Sequence, residues 1–188
     1  MFDDRKAFLA AAQGKEGYLF PDTYFFMPGD STQIILSIFN NGFHVHVLKV
    51  QKQIDAFKKP LPDVLTMASL LEKEASDTQS RRIIAGILWR RISIGMPLQV
   101  DAVFPYIIGK NSFELTRDDL KINNPYNTYT HKGLPPGPIA NPGLDSITAA
   151  VTPIPSNYLY YLSDLQGNFH FAATYEQFLI YKHKYLGS

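Results

Sequence analysis

The sequence predicts an α+β domain, in which a helical hairpin packs with a short β-hairpin and a long Pro-rich loop. Apolar residues recur at helical spacing through residues 64–94, and apolar and polar residues alternate through residues 158–173. Between these regions, residues 123–143 contain five prolines. With 188 residues, 45% of them hydrophobic, the chain has enough apolar side chains for the core of one domain, residues 1–188.

The N-terminal third is predicted to be helical on both sides of an aromatic turn region. Residues 3–13 favour a first helix, and residues 14–31 place Gly, Pro and Asp around short β-like aromatic pieces. From residue 32 to 58 the apolar residues are spaced as on a single helix, which Pro60 and Pro62 are expected to end.

Two helices joined by a short loop form the predicted helical hairpin. Asp63 is the expected cap of the first helix, 64–75, and Gly95 the expected stop of the second, 80–94. After them, residues 96–109 favour an extended segment followed by one helical turn.

The C-terminal part is predicted to combine short helices with a β-hairpin. Residues 146–151 favour one or two helical turns, and residues 158–164 and 169–173 favour two strands around Gly167. Residues 174–186 complete the chain as a helix.

Composition excludes several classes of function. A formal net charge of +1 argues against a nucleic-acid partner, and without cysteine the chain has neither disulfides nor thiolate sites. His44 and His46 lack an acidic partner at metal-ligand spacing, and His170 is expected to be a structural hydrogen-bonding residue, so no metal or cofactor is predicted. The longest apolar runs are too short to span a bilayer, and the sequence therefore predicts a soluble fragment.

Glu72 and Glu74 end the first helix of the predicted hairpin. Met67, Leu70 and Leu71 precede Glu74 by seven, four and three residues and therefore share its helical face. A carboxyl group on an apolar face loses hydration of its charged form, so its pKa rises and it can hold a proton near neutral pH. Glu74 is therefore the candidate general acid.

A structural alternative for Glu74 stays open at the sequence level. Arg81 and Arg82 follow across the short loop, and an ion pair with either would make Glu74 a residue that only holds the hairpin together.

The Pro-rich loop is the candidate binding wall. Prolines fix φ and allow a loop to stay rigid, and residues 126–129 add two tyrosines, an asparagine and a threonine. Aromatic rings beside amide and hydroxyl groups suit a neutral sugar ligand. A plain surface connector and a polyproline ligand for a partner domain are the alternatives.

Five blocks in this order closely resemble the MltG (YceG-like) family of endolytic murein transglycosylases. They are "EGYLFPDTYFF", "LTMASLLEKEA", "IIAGILWRRISIGMPLQVD", "NPYNTYTHKGLPPGPIANPG" and "NYLYYLSDLQGNFHFAATYEQF". The resemblance implies a YceG-like catalytic domain that cleaves glycan strands between N-acetylmuramic acid and N-acetylglucosamine. It also implies 1,6-anhydromuramic ends, a limit on nascent strand length, and Glu74 as the catalytic residue.

The expected substrate contacts follow from this resemblance together with the loop composition. They are Gln99, Asp101, Tyr126, Asn127, Thr128, Tyr129, Leu134, Pro135, Pro136 and Asn141. The chain departs from the family pattern at Ser80, Val100 and Ala102, which leaves the fine structure of the cleft wall near residues 99–103 open.

The resemblance also implies a location and partners for a longer protein. Family members carry an N-terminal membrane helix and a LysM-like portion, both absent from this chain, so the full-length protein is expected to be a single-pass protein of the cytoplasmic membrane. Its catalytic domain would face the periplasm or cell wall, with peptidoglycan strands as substrate and cell-wall synthases as candidate partners. A non-catalytic glycan-binding module and a hydrolytic muramidase using Asp101 as second carboxylate remain alternatives.

Overall fold

The structure, a computed structural model, describes residues 5–187. In this range the chain forms an α+β domain of eight α-helices and one two-stranded antiparallel sheet. The helices are α1 Arg5–Ala12, α2 Thr32–Lys49, α3 Gln51–Phe57, α4 Leu61–Glu74, α5 Thr78–Ser93, α6 Phe104–Ile108, α7 Leu144–Val151 and α8 Tyr175–Leu186, and the strands are β1 Tyr160–Ser163 and β2 Phe169–Ala172. The predicted helix 3–13 is present as α1, and the first two residues of that prediction lie outside the described part.

Helix α4 is the centre of the core. Every residue from Val64 to Leu71 is buried, as expected for a helix that is largely apolar on all sides. It packs against α5 and, most extensively, against α7. Its C-terminal end reaches the surface, and this places Glu74 at the edge of the core.

Close contacts fix α5 against the segment that follows α7. A Cβ on Gly86 would lie 2.2 Å from the Ile154 carbonyl oxygen, so only glycine permits this approach. The Trp89 indole N–H donates to the Ala150 carbonyl at 2.9 Å. The helical hairpin is therefore held by a third helix that lies far along the chain.

The prediction of a single helix over residues 32–58 is wrong. The helix breaks at Val50, where φ is −118° and ψ is 12°, and resumes as α3. Val47, Val50 and Ile54 are 5%, 5% and 6% exposed. Burial explains the break, because the bend keeps the apolar residues of both pieces against one core.

Two predicted helix starts are also shifted. Helix α4 begins at Leu61, before Asp63, because Pro62 falls in the first turn, where a backbone N–H has no helical partner and its absence costs little. Helix α5 begins at Thr78, where the Asp77 side chain accepts from the Ser80 N–H at 2.8 Å.

The predicted β-hairpin is confirmed. Strand β1 pairs with β2 so that Tyr161 lies opposite Phe171, and Gly167 in the turn has a φ of 84°. His170 is placed as a structural residue: its Nε2 lies 3.0 Å from an Asp164 carboxylate oxygen, and its ring stacks on Tyr185 at 3.6 Å.

No helix between residues 5 and 187 is both long enough and apolar enough to cross a membrane.

Candidate active site

Glu74 is the last residue of α4 and lies at a cavity of about 450 Å³. The helix ends here because Ala75 turns to an extended conformation, with φ −144° and ψ 151°. The cavity walls include Lys73, Glu74, Ala102, Pro105, Tyr106 and Ile139. Glu74 remains partly exposed, so a ligand in the cavity could reach its carboxyl group.

The surroundings of Glu74 favour its protonated form near neutral pH. Burial raises the pKa of Glu74 from 4.5 to about 7, and the negative charge of Asp101 acts in the same direction. The Tyr161 hydroxyl donates to Glu74 Oε2 at 2.7 Å and opposes the rise, as does the Arg91 guanidinium. The carboxyl group is therefore poised to give up and regain a proton near pH 7.

The alternative in which Glu74 pairs with Arg81 or Arg82 is wrong. Arg81 binds Asp145 instead, with 2.5 Å between Nη1 and Oδ2, and Arg82 donates to the Thr152 carbonyl at 2.7 Å. Both arginines connect α5 to α7, which leaves Glu74 facing the cavity.

Glu72 has a structural position on the other side of the same helix end. Its Oε2 accepts from the Gly143 N–H at 3.0 Å and from the Ser146 hydroxyl at 2.6 Å. These bonds attach α4 to the N-terminal end of α7.

Asp101 and Tyr129 form a second polar pair beside Glu74. The Tyr129 hydroxyl donates to Asp101 Oδ1, and burial, followed by this carboxylate, raises the pKa of Tyr129. Burial likewise raises the pKa of Tyr161 well above its ordinary value, and the Glu74 charge adds to this rise. Both phenols therefore stay protonated and act as hydrogen-bond donors to the two carboxyl groups.

Arg91 is the cation of this polar cluster. It is 5% exposed and donates to the carbonyls of Leu159, at 2.7 Å, and Leu98, at 2.6 Å. It therefore joins the β1 end of the site to the segment that carries Asp101. Burial lowers the pKa of Arg91, and the phenols and Glu74 around it counter that effect.

The central residues of the 126–129 segment lie behind the cleft surface. Asn127 is 0% exposed, and its Nδ2 donates to the carbonyls of Leu120 and Ile122. Thr128 is 2% exposed, and its Oγ1 accepts from the Val100 N–H at 2.9 Å. Both side chains use their polar atoms on the protein's own backbone and so position the site.

Gln99 and Tyr126 lie nearer the surface than these two residues. Gln99 is exposed and adopts a φ of 50°, a left-handed conformation that costs a non-glycine residue about 1 kcal/mol. Its N–H donates to the Thr128 carbonyl at 3.1 Å. Tyr126 is half-buried, and its ring centroid lies 4.9 Å from that of Tyr106.

The Pro-rich loop reaches the cavity through Ile139, whose N–H donates to the Ser69 hydroxyl at 3.0 Å. The cavity is not lined by Leu134, Pro135 or Pro136. Pro135 is buried, and Pro136 is exposed to solvent. Asn141 holds the N-terminal segment, because its Oδ1 accepts from the N–H groups of Gly17, at 2.7 Å, and Leu19, at 3.2 Å.

Sequence reasoning missed three residues of the site. Arg91 had a visible signal, since a cation in the apolar stripe with Ile84 and Leu88 indicates a buried charge. Tyr161 and Tyr106 had none, because they meet Glu74 and the cavity only through tertiary packing.

The comparisons with known proteins agree with this architecture. The model of the YceG-like family matches residues 1–184. A Bacillus subtilis protein named endolytic murein transglycosylase is 38% identical over 174 residues, which is 92% of this chain and 48% of the relative. A Streptococcus pneumoniae protein of the same name is 32% identical over 86% of this chain and 30% of the relative.

The fold is also known from experiment. The crystal structure of a YceG-like protein from Listeria monocytogenes superposes with a TM-score of 0.81 at 33% identity, covering 95% of this chain and 64% of that one. The chain spans about half the length of the Bacillus relative and less of the Streptococcus one. With a family model that matches nearly its whole length, the chain belongs to the YceG-like family.

Proposed function

We propose that this chain is the catalytic part of an endolytic lytic transglycosylase that cleaves peptidoglycan between N-acetylmuramic acid and N-acetylglucosamine. The observation that carries the proposal is the Glu74 carboxyl group, which lies at a cavity, accepts from Tyr161 and has a pKa of about 7. Relatives that are 38% and 32% identical to this chain over the aligned residues bear the name endolytic murein transglycosylase.

A single carboxyl group suffices for the reaction. Protonated Glu74 gives its proton to the glycosidic oxygen while the bond from muramic C1 to that oxygen breaks. The Glu74 carboxylate then takes the proton of the muramic C6 hydroxyl as O6 bonds to C1. The products are a free N-acetylglucosamine hydroxyl and a 1,6-anhydromuramic end, and no water is consumed.

The groups around Glu74 have separate tasks in this mechanism. Tyr161 donates to Glu74 Oε2 and orients the carboxyl group toward the substrate. Asp101, fixed by Tyr129, provides negative charge for the cation-like C1 centre. Gln99 and Tyr126 are the proposed polar contacts to the sugar. Thr128 holds the 98–101 segment in place, and Asn127 holds the 120–122 segment.

We also propose a setting for the domain in the longer protein. An N-terminal membrane helix would anchor it with the catalytic domain on the cell-wall side, a LysM-like portion would help to hold the glycan, and cleavage would limit nascent strand length. The lengths of the relatives leave room for such parts. Adding the LysM-like portion back should raise the affinity for murein, and an unchanged affinity would contradict that role.

The product of the reaction tests the proposal. Purified murein sacculi are digested with the wild type and with Glu74→Gln in heavy-oxygen water, and the released fragments are analysed by mass spectrometry. We expect unlabelled anhydromuramic ends from the wild type and at least about 100-fold fewer from the variant. Equal release by both proteins would overturn the assignment of Glu74.

A hydrolytic muramidase is the second candidate, because Asp101 lies close enough to raise the pKa of Glu74. Hydrolysis would put heavy oxygen into the new reducing ends, whereas closure by the C6 hydroxyl would not. A protein that binds sacculi but releases neither product would favour a glycan-binding module.

A further inference from the structure

The cavity beside Glu74 has an aromatic wall that the proposed mechanism does not use. Tyr106 lines the cavity and is 42% exposed, a large exposure for a ring placed next to the partly buried Glu74 carboxyl group. Resting on the proposed function, we infer that Tyr106 is a stacking platform for an N-acetylated sugar ring of the glycan strand next to the cleaved bond.

The Tyr106 ring is held in position before any ligand arrives. Helix α6 is a single turn, and Phe104, which is 0% exposed, anchors its start in the core. Gly109, with a φ of 73°, ends that turn. Tyr126 supports the ring from the side, with 4.9 Å between centroids and an interplanar angle of 44°. An anchored ring loses little conformational entropy when a ligand binds, so its contact area contributes to affinity.

The contact between the two tyrosines extends to their hydroxyl groups. Burial raises the pKa of Tyr106 to about 12, and a hydrogen bond with Tyr126 adds to the rise. The phenol therefore stays neutral at any pH at which the protein is tested, and the ring offers a flat apolar face throughout.

The chemistry of the cavity matches a sugar ring. A pyranose presents C–H groups on its faces, which pack on an aromatic ring, and hydroxyl and acetamide groups at its edge, which need hydrogen-bond partners. Asn111 and Ser112 also line the cavity. Within the described part of the chain, the Asn111 Nδ2 and the Ser112 hydroxyl donate no hydrogen bond, so both are available to a ligand. At about 450 Å³ the cavity lies within the range of ~300–1,000 Å³ that is common for small-ligand sites.

Binding without turnover tests the platform. In the Glu74→Gln background, we titrate a peptide-free tetrasaccharide of alternating N-acetylglucosamine and N-acetylmuramic acid and measure the heat of binding. Tyr106→Ala should weaken binding about tenfold, and Tyr106→Phe, which keeps the ring, should stay within about twofold. Tyr106→Leu, which keeps apolar volume but has no flat face, should weaken binding as alanine does.

The matched control is Phe25→Ala, since Phe25 is 92% exposed and does not line the cavity. This change should leave the affinity unaltered. In the active protein, Tyr106→Ala should raise KM for soluble strands more than it lowers kcat, because the ring contacts sugar in both ground state and transition state.

Several results would overturn the inference. One is an affinity of Tyr106→Leu or Tyr106→Ala within twofold of the parent. Another is a loss of affinity in Tyr106→Phe as large as that in Tyr106→Ala, which would show that the hydroxyl contact with Tyr126 determines binding. If Tyr106→Ala fails to fold, the comparison of Phe with Leu decides. Binding that depends on Tyr106 in a protein that yields no anhydromuramic ends would support the platform and contradict the proposed reaction. Release of anhydromuramic ends that is unchanged in the Tyr106 variants would support the reaction and contradict the platform.

Discussion

Glu72 and Glu74 lie at the same end of α4, but their side chains lie in two different environments. Glu72 faces α7, where a backbone N–H and a hydroxyl both donate to one of its oxygens. Glu74 faces the cavity, where burial raises its pKa to about 7 and the Tyr161 hydroxyl is its side-chain donor. The two side chains are two residues apart on the helix, which rotates one from the other by roughly 200° and turns them to nearly opposite sides.

The difference shows how donors decide the role of a carboxyl group. Two donors at the start of α7 bond to Glu72, which makes it a tether between two core helices. Desolvation without full compensation leaves the proton on Glu74, as a general acid requires. The residue type is the same, and the partners supplied by distant parts of the chain set the function.

The largest expected effect is the loss of cleavage when Glu74 is changed, whereas a change at Glu72 should lower stability. Glu74→Gln should lower the release of anhydromuramic ends at least about 100-fold and leave the fold intact. Glu72→Ala should keep cleavage within a few-fold but lower the free energy of unfolding by about 1–3 kcal/mol, because the Gly143 N–H and the Ser146 hydroxyl lose their acceptor. Urea denaturation and product analysis of the same preparations check both. If Glu72→Ala lost activity at full stability, the division of roles would be wrong.

The second prediction extends the comparison to the loop behind the site. Asn127→Ala should lower the free energy of unfolding by about 2–4 kcal/mol, since the carbonyls of Leu120 and Ile122 and the N–H of Tyr129 would lose their partner in a buried place.

The matched control is Asn123→Ala, an exposed asparagine four residues earlier, which should change stability by no more than about 0.5 kcal/mol. Urea denaturation measures both variants. An Asn127→Ala protein with wild-type stability and weakened glycan binding would restore the direct substrate contact that the sequence suggested for Asn127.

The sequence was informative where its signals are local. Helical spacing identified the helices of the hairpin, and alternation with Gly167 identified the β-hairpin. These patterns depend on neighbours within about one or two helical turns, so they are visible without the fold.

Signals that depend on distant partners were not visible in this way. Tyr161 lies 87 residues from Glu74, and Thr128 lies 28 residues from Val100, the backbone it holds. Amide and hydroxyl side chains in a loop suit a ligand and a neighbouring backbone equally well. Only the packing distinguishes Asn127, which is 0% exposed, from Gln99, which is exposed. Direct binding by the residues of segment 126–129 therefore stays a prediction.

The third prediction concerns the stability cost of keeping Glu74 protonated. The folded state holds this proton up to a pKa of about 7, whereas an unperturbed glutamate releases it near 4.5. Between these values the folded state binds more protons than the unfolded state, so the free energy of unfolding falls as the pH rises through that window. Glu74→Gln carries no such proton and should be more stable than the wild type by about 1–3 kcal/mol at pH 8.

Denaturation of both proteins at pH 4 and pH 8 measures this difference, and the comparison cancels the other titrating groups. The two proteins should have nearly equal stabilities at pH 4, where Glu74 is mostly neutral in both states. A gap that is the same at both values of pH would show that the pKa of Glu74 is not raised.

The smallest expected effect isolates the hydrogen bond from Tyr161. This bond lowers the pKa of Glu74, so Tyr161→Phe should raise that pKa and move the alkaline limb of the pH–rate profile to higher pH. The rate at pH 6 should fall about three- to tenfold because the carboxyl group is less well oriented. Tyr160→Phe is the control on the same strand: its ring packs near the Arg91 guanidinium, at 5.4 Å, without a hydrogen bond to Glu74. If both variants shifted the profile equally, the effect would come from the strand as a whole. The hydrogen bond from Tyr161 would then not be what adjusts the pKa of Glu74.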